Sequence, residues 1–211
     1  MNEHHILRLG ITGGIGSGKS TALAYLRELG AAVISGDDIV HNLLQEPPVV
    51  AEIGAHFGPG VLGDDGIDRL ALAAVVFRDD EALRWLEDLL HPHVKQVVAE
   101  WAREQQSLRR PPALLAAEIP LLFETDMQTE FDQVLLVTAP ENARRRRAAA
   151  KLTESDFQRR AARQLSEDEK AQRSDFVCTN IGTRQSMKEY VAEVFATMIA
   201  GAGETAAADK T

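Results

Sequence analysis

The pattern of apolar and polar positions near the start of the chain changes several times. An apolar run at 6–12 leads into a glycine-rich segment, and a helical pattern at 19–29 is followed by a second apolar run at 32–35. Gly30 separates the helical pattern from the second run, as a helix stop does. This order predicts a strand, a loop, a helix and a second strand.

The middle of the chain has a helical period. From about residue 37 to residue 106, leucine and valine recur three or four positions apart, as at Leu86, Leu90, Val94 and Val98, and few segments suit a strand. Apolar residues at this spacing form a stripe along one side of a helix. The segment is therefore predicted to be a helical insertion.

Three later runs complete a predicted sheet. Residues 113–117, 133–139 and 176–179 are mainly apolar, as strands buried on both faces of a parallel sheet require. Together with the first two strands they predict a parallel five-stranded sheet in an α/β fold.

The last two predicted strands are separated by a polar, arginine-rich stretch at 140–174, which is predicted to form a lid-like pair of helices. Two pairs in it have the spacing of a capping box, Thr153 with Asp156 and Ser166 with Glu169. A final amphipathic helix is predicted at about 184–199, and the residues that follow, 201–211, are predicted to fray.

Composition narrows the class of protein. The 211 residues carry a formal net charge of -9 and are 45% hydrophobic, enough for a full core in one large domain or in one domain with an inserted lobe. An acidic chain lacks the broad basic face that general nucleic-acid binding needs, so neither nucleic acid nor an anionic membrane is an expected partner. The single cysteine, Cys178, excludes an internal disulfide, and the N-terminus lacks a signal-peptide pattern. We expect a cytoplasmic protein, and the sequence leaves its oligomeric state unknown.

The glycine-rich segment fits the phosphate-loop motif GxxxxGK[ST] through Gly13, Gly18, Lys19 and Ser20. Glycines let successive backbone N–H groups surround a phosphate at the positive end of a helix. Lys19 can then reach the β and γ phosphates of ATP, and the Ser20 hydroxyl can ligate Mg²⁺. The alternative is a plain glycine turn with an exposed lysine. The nucleotide-binding residues predicted in this segment are Gly14, Ile15, Gly16, Ser17, Gly18, Lys19, Ser20 and Thr21.

The rest of the sequence selects among phosphate-loop proteins. It contains no NKxD motif of the kind that regulatory GTPases use to read guanine, and it is too short for a large motor ATPase. A helical insertion after the second strand and an arginine-rich lid after the fourth suit a small-molecule kinase. In such enzymes a lid excludes water and brings positive charge to the transferring phosphoryl group.

Acidic residues follow two predicted strands, at the sheet edge where α/β folds bind ligands. Asp37 and Asp38 come after the second strand, where either can orient a substrate hydroxyl or cap a helix starting near Ile39. Glu118 ends the third strand, where it is either a metal-associated acid or a carboxylate with a structural partner. Position alone leaves these alternatives open.

Arginines form two clusters in the predicted lid, Arg144 to Arg147 and then Arg159, Arg160 and Arg163. Four consecutive helical residues point in different directions, so Arg144 and Arg147, or Arg160 and Arg163, can share a side while the rest cannot. We expect one or two of these arginines to reach ATP.

Several separate motifs resemble those of the dephospho-CoA kinase family, and the resemblance extends from about residue 9 to residue 199. The motifs are LGITGGIGSGKST at 9–21, VISGDDIVH at 33–41, LLHPHV at 89–94, EIPLLFE at 118–124, RAARQ at 160–164, KA at 170–171 and DFVCTNIG at 175–182.

This resemblance implies a phosphate-loop kinase fold with three layers. It also implies a reaction with Mg²⁺, transfer of the γ-phosphoryl group of ATP to the ribose 3'-hydroxyl of dephospho-CoA. Asn180 and Gly182 would lie against adenine. The residues implied for the acceptor site are Asp37, His91, Pro120, Leu121, Leu122, Glu124 and Arg160.

The chain departs from the family pattern at two places. Ser35 replaces the first acid of the family's DxD, and because a serine is not a base at neutral pH without help, Asp37 is predicted to orient or deprotonate the 3'-hydroxyl and to ligate the metal with Ser20. The lid pattern QxxRxxxR maps to Asn142, Arg145 and Ala149, so its second arginine is missing. Arg146, Arg147 or Lys151 are candidates to replace it. The favoured lid arginines are Arg145 and Arg160, and Arg145 is also predicted to bind the nucleotide. The predicted catalytic residues are Lys19, Asp37 and Arg145.

The predicted parts are a nucleotide-binding core at 1–36, 109–140 and 175–200, a helical substrate-binding region at 37–108, a lid at 141–174 and a flexible tail at 201–211. Two other functions remain open from sequence. One is a kinase with another acceptor, such as a nucleoside, a nucleotide or a shikimate-like alcohol. The other is a nucleotide-binding regulatory module without phosphoryl transfer.

Overall fold

A computed structural model describes residues 6–150 and 152–208, with side chains up to Gly201. The described residues up to Ser35 form one compact unit with those from Trp101 onward, and Gly36–Glu100 form a second. The strands are β1 (Leu7–Thr12), β2 (Ala32–Ser35), β3 (Leu62–Gly63), β4 (Gly66–Ile67), β5 (Leu114–Glu118), β6 (Gln133–Thr138) and β7 (Phe176–Thr179). The α-helices are α1 (Lys19–Glu28), α2 (Gly36–Leu43), α3 (Pro47–Phe57), α4 (Arg69–Val76), α5 (Asp80–Ser107), α6 (Glu141–Ala148), α7 (Glu154–Ala161), α8 (Glu167–Gln172) and α9 (Arg184–Ala208).

The first unit is built on a parallel five-stranded sheet in the order β2-β5-β1-β6-β7. Its central strand, β1, pairs with β5 and β6, and Ser35 at the end of β2 lies opposite Glu118 at the end of β5. Because the strands are parallel, their carboxyl ends share one edge, and the loops that carry the predicted chemistry start there. The predicted α/β class and its five-stranded parallel sheet are confirmed.

One face of this sheet packs against two helices. Every second residue of β1, β5 and β6 contributes to a buried cluster with α1 and α9, in which Leu9, Leu26 and Val191 are fully buried. On the other face Leu115 packs with Ala102 near the end of α5. The unbroken apolar runs are therefore strands covered on both sides, which gives the fold its three layers.

The second unit is mainly helical, as predicted, with α2 to α4 and the first part of α5. It also contains a short antiparallel hairpin, β3 with β4, that the sequence did not predict. Strands of two residues are too short to show alternation of apolar and polar positions, so periodicity could not reveal them. Apolar residues of this unit such as Ile53 and Val61 are buried.

Several boundaries differ from the predictions. Helix α2 begins at Gly36, directly after β2, rather than near Ile39. The lid segment forms three helices instead of a pair, because Ser166 caps a further short helix, α8. Helix α9 continues to Ala208, beyond the predicted end near residue 199, since the residues that follow include no proline and several alanines, which favour helix.

No helix in the described ranges, 6–150 and 152–208, combines the length and the apolar character needed to span a membrane.

Candidate active site

The phosphate loop lies between the end of β1 and the start of α1, as predicted. Gly13 has a φ of 143°, and a methyl group on it would collide with the carbonyl oxygen of Val137. Gly18 has a φ of 112° and is the residue from which α1 begins. Only glycine fits these two positions without strain, so the backbone places the amides of the loop at the positive end of α1.

Lys19 is folded back over this loop. Its side chain is buried, with 8% exposure, and its Nζ donates a hydrogen bond to the carbonyl oxygen of Gly14 at 3.3 Å. The ammonium group is thus held at the mouth of the ring formed by the loop. A cation and a set of amides at one point suit a group with several negative charges, such as the end of a triphosphate.

A hydroxyl and a carboxylate meet beside the loop. The Oγ of Ser20 donates to Oε1 of Glu118 at 3.4 Å, and Glu118 is buried, with 4% exposure. The register of β2 and β5 places Glu118 opposite Ser35, the residue that replaces the first acid of the family pattern. At this edge of the sheet, Glu118 on β5 thus supplies a buried carboxylate beside Ser35 on β2, which has a hydroxyl instead of a carboxylate.

Oxygen ligands of this kind fit Mg²⁺. No group of three or more His, Cys, Asp or Glu side chains that could hold a metal occurs within the described part of the chain. Magnesium in phosphoryl-transfer sites keeps several waters and binds to one or two protein oxygens plus substrate phosphates. Ser20 and Glu118 supply two such oxygens, so the donor set suits a metal that arrives largely bound to a nucleotide.

Asp37 lies in the first turn of α2 and is exposed, as is Asp38. Because α2 begins at Gly36, Asp37 lies inside the first helical turn and not before it. Its negative charge there interacts favourably with the helix dipole. Asp37 and His91 belong to the unit Gly36–Glu100, whereas the other predicted site residues belong to the first unit.

The lid helix α6 approaches the phosphate loop through two arginines. Arg147 donates from Nη1 to the carbonyl oxygens of Gly16 at 3.2 Å and of Ser17 at 3.3 Å. Arg144 donates from Nε to the carbonyl oxygen of Ala139 at 3.0 Å, and a methyl group on Gly14 would collide with its Nη1. These two arginines share one side of the helix, as their spacing predicted.

Arg145, one of the two lid arginines favoured from sequence, faces other lid residues in this structure. Its Nε donates to Oε1 of Glu141 at 2.7 Å, and the guanidinium also forms an ion pair with Glu154 and lies over the ring of Phe157. The hydrogen bond and positive charge of Arg145 lower the pKa of the Glu141 carboxyl. The structure therefore does not bring Arg145 to the phosphate loop, while Arg160, on α7, is exposed.

The loop after β7 is tied to the phosphate loop. The amide nitrogen Nδ2 of Asn180 donates to the carbonyl oxygen of Ser17 at 2.7 Å, and Nη2 of Arg147 donates to the carbonyl oxygen of Asn180 at 3.2 Å. Asn180 and Gly182 also line a surface cavity of about 270 Å³ between β7 and α9. The structure thus brings Asn180 to the phosphate loop, and Gly182 lines the same cavity as Asn180.

The chain is similar to known proteins along most of its length. The family profile of dephospho-CoA kinase matches residues 7–186. A dephospho-CoA kinase from Symbiobacterium thermophilum is 38% identical, over 95% of this chain and 84% of that protein. A crystal structure of a Thermus thermophilus protein has a TM-score of 0.76 at 35% identity, covering 92% of this chain and 97% of that one. This chain belongs to the dephospho-CoA kinase family.

A more distant structure shares the fold alone. Shikimate kinase from Acinetobacter baumannii has a TM-score of 0.51 at 13% identity, over 92% of this chain and 95% of that one. A kinase named for a different substrate therefore shares this architecture, and the fold by itself does not select dephospho-CoA. The relatives in sequence do, and they confirm the predicted assignment to ATP-dependent phosphotransferases of the dephospho-CoA kinase family.

The sequence did not indicate how the lid of this chain is secured. Lys170 has no exposed surface, and its Nζ lies 3.0 Å from Oε1 of Glu124, in the PLLFE motif. The same oxygen accepts the backbone N–H of Leu165 at 2.8 Å, and Nε2 of Gln164 donates to the carbonyl oxygen of Pro120 at 3.3 Å. The sequence contains both the PLLFE motif and the KA motif with Lys170, but no spacing rule pairs residues so far apart along the chain. Their contact could therefore not be predicted.

Leu122 of the same motif is fully buried, whereas Leu121 and Pro120 are half-buried. The motif therefore contributes packing and an anchor for the lid. Contact of its residues with the acceptor stays a prediction.

Proposed function

We propose that this chain transfers the γ-phosphoryl group of ATP to the ribose 3'-hydroxyl of dephospho-CoA and releases coenzyme A and ADP. The observation that carries the proposal is the buried Lys19 ammonium over a glycine loop that opens a helix, in a chain of this family. Phosphoryl transfer needs positioning and charge stabilisation more than covalent chemistry from the protein, and this loop supplies both.

The residues proposed to bind the nucleotide are Gly14 to Thr21 of the loop for the phosphates, and Asn180 and Gly182 for the adenine. Amides of the loop would bind the phosphates through charge-assisted hydrogen bonds, and Lys19 would exchange the Gly14 carbonyl for the β and γ phosphates. Hydrogen bonds from an ammonium group to charged phosphate oxygens are stronger than one to a neutral carbonyl, which favours this exchange.

Magnesium is part of the proposal, with Ser20 and Asp37 as predicted ligands and Glu118 as a further oxygen beside Ser20. When bound, the ion would neutralise charge that develops between the β and γ phosphates. The contribution of the chain is to hold the Ser20 hydroxyl and the Glu118 carboxylate within hydrogen-bonding distance of each other.

Asp37 is proposed as the group that aligns the acceptor. Its carboxylate would accept the proton of the 3'-hydroxyl while that oxygen bonds to the γ phosphorus and the bond from that phosphorus to the bridging oxygen of ADP breaks. Ser35 cannot take this proton at neutral pH, because its hydroxyl is a weak base. His91, Pro120, Leu121, Leu122, Glu124 and Arg160 remain the residues proposed for the acceptor site.

Arg145 is proposed to stabilise the transferring group. In this structure its charge is neutralised by Glu141 and Glu154, so contact with phosphate requires that it exchange at least one of these partners.

We also propose that the protein is located in the cytoplasm. The single cysteine supports this location, because disulfides are typical of secreted proteins.

An acceptor panel tests the function. ADP release would be measured with Mg-ATP and dephospho-CoA, adenosine, a nucleoside monophosphate or shikimate as acceptor. We expect release with dephospho-CoA to exceed that with the other acceptors by orders of magnitude. Comparable release with another acceptor would contradict the proposed specificity, and tight ATP binding without acceptor-dependent release would indicate a regulatory module instead.

A further inference from the structure

Arg147 contacts the phosphate loop from the side of its carbonyl groups. Its guanidinium donates to the carbonyl oxygens of Gly16 and Ser17 through Nη1 and to that of Asn180 through Nη2. These contacts occupy both terminal nitrogens with backbone acceptors. Arg147 therefore differs from an arginine that reaches directly for a phosphate.

The bonded carbonyls belong to peptide groups whose amides form the loop. The carbonyl of Gly16 shares a peptide group with the N–H of Ser17, and the carbonyl of Ser17 shares one with the N–H of Gly18. A positive charge on a carbonyl oxygen polarises its peptide group and makes the N–H a stronger donor. Arg147 thus strengthens the N–H donors of Ser17 and Gly18, while its own guanidinium contacts the carbonyl side of the loop.

The same guanidinium joins two segments that are distant in sequence. Asn180 begins the loop after β7, and its side chain donates to the Ser17 carbonyl oxygen that Arg147 also contacts. A planar fork can hold acceptors from both segments in a fixed relation, which an ammonium group cannot do. The two contacts fix the distance between the phosphate loop and the loop assigned to adenine.

We infer that Arg147 is a positioning residue for the nucleotide, which polarises the phosphate loop from behind and holds it against the loop at Asn180. The inference rests on the proposed nucleotide site and adds a residue to it. It predicts an effect on ATP that is not shared by dephospho-CoA, because the contacts of Arg147 lie on the two segments assigned to ATP.

The test compares Arg147→Ala and Arg147→Lys with the parent enzyme. ADP affinity would be measured by calorimetric titration without acceptor, and KM for ATP, KM for dephospho-CoA and kcat would be measured in the full reaction. Arg27→Ala is the control, because Arg27 is an exposed arginine in the last turn of α1, at the other end of that helix from the loop.

We expect Arg147→Ala to weaken ADP binding and raise KM for ATP by about tenfold, because hydrogen bonds from a charged donor are lost. KM for dephospho-CoA and kcat should stay within about twofold of the parent values. Arg147→Lys should give an intermediate loss, since it keeps the charge and loses the fork. Arg27→Ala should match the parent enzyme.

Unchanged ADP affinity in Arg147→Ala would overturn the inference, as would an equal rise in both KM values or an equal loss of ADP affinity in Arg27→Ala. If the alanine variant melts well below the parent, Arg147→Lys decides, because unchanged ADP affinity in that variant contradicts the inference and a several-fold loss supports it. The ADP titration requires no acceptor, so this result stands apart from the outcome of the acceptor panel.

Discussion

The phosphate loop and the lid reach the nucleotide site by different physical means. The loop uses its backbone, and its shape depends on glycines and on the first turn of one helix, all adjacent in sequence. The lid, residues 141–174, uses long side chains whose direction depends on partners far away, such as Glu124 for Lys170. A backbone site is therefore set by local sequence, whereas the role of a lid arginine depends on the tertiary contacts around it.

The largest effect expected on the loop side follows from Lys19→Ala. Loss of the ammonium group should lower kcat by about a hundred- to a thousandfold, because a preorganised charge at the transferring group is removed. Steady-state kinetics with Mg-ATP and dephospho-CoA measures this, and thermal melting checks that the fold is kept. A kcat close to that of the parent would remove Lys19 from the proposed mechanism.

The largest effect on the lid side is expected in Lys170→Met. Loss of a fully buried ammonium leaves the carboxylate of Glu124 without its ion-pair partner, which should lower the free energy of unfolding by about 3 kcal/mol. Denaturant unfolding measures this change. The control is Lys188→Met, because Lys188 pairs with Glu28 at the surface, where ion pairs contribute little.

Equal stability of the Lys170→Met variant and the control would show that the buried pair does not secure the lid. The difference between loop and lid would then lose its main structural support.

A smaller effect is expected at Arg145, which either stabilises the transferring phosphoryl group or serves only as an ion-pair partner within the lid. Arg145→Ala should lower kcat by about tenfold if the guanidinium stabilises transferred charge. Glu154→Gln keeps the shape of the ion-pair partner but removes its charge, so Arg145 should be released more easily and kcat should be kept or increased. Steady-state kcat of both variants decides, and equal losses in the two would indicate that the Arg145–Glu154 pair serves only the lid fold.

The smallest effect concerns the cap of α8. The hydrogen bonds from Ser166 lower the pKa of the Glu169 carboxyl in the folded state, so they stabilise the fold above the ordinary value of 4.5 and this contribution is lost as the pH falls through the lowered pKa. In Ser166→Ala the pKa of Glu169 should rise toward its ordinary value. Carboxyl NMR titration measures the shift, and an unchanged pKa would contradict the role of the capping box.

The capping-box spacing was a better guide at one position than at the other. Ser166 and Glu169 form both reciprocal bonds, whereas the side chain of Thr153 caps α7 by accepting the N–H of Asp156 at 3.2 Å, and its own hydroxyl bonds to the Asp156 carboxylate. The shorter aspartate does not reach back to the N-cap amide. The spacing thus identified both helix starts. The residue type, glutamate or aspartate, determined whether the second hydrogen bond of the capping box forms.

Most of the sheet could be predicted because its signals are local. Strands β2 and β7 have the predicted bounds, and the loop at Gly13 to Lys19 follows from a motif whose glycines have one conformational reason. The direction of Arg145 and Arg147 could not be predicted. Both are arginines of one helical turn, and only the positions of Glu154 and the Gly16 carbonyl distinguish them.

The position of the new phosphate in the product tests the central claim most directly. Product formed from dephospho-CoA and Mg-ATP would be analysed by phosphorus–proton correlation NMR. The account predicts one new phosphomonoester that couples to the 3' proton of the ribose, with ADP formed in equal amount. A phosphate attached at another position, or released as inorganic phosphate, would contradict it.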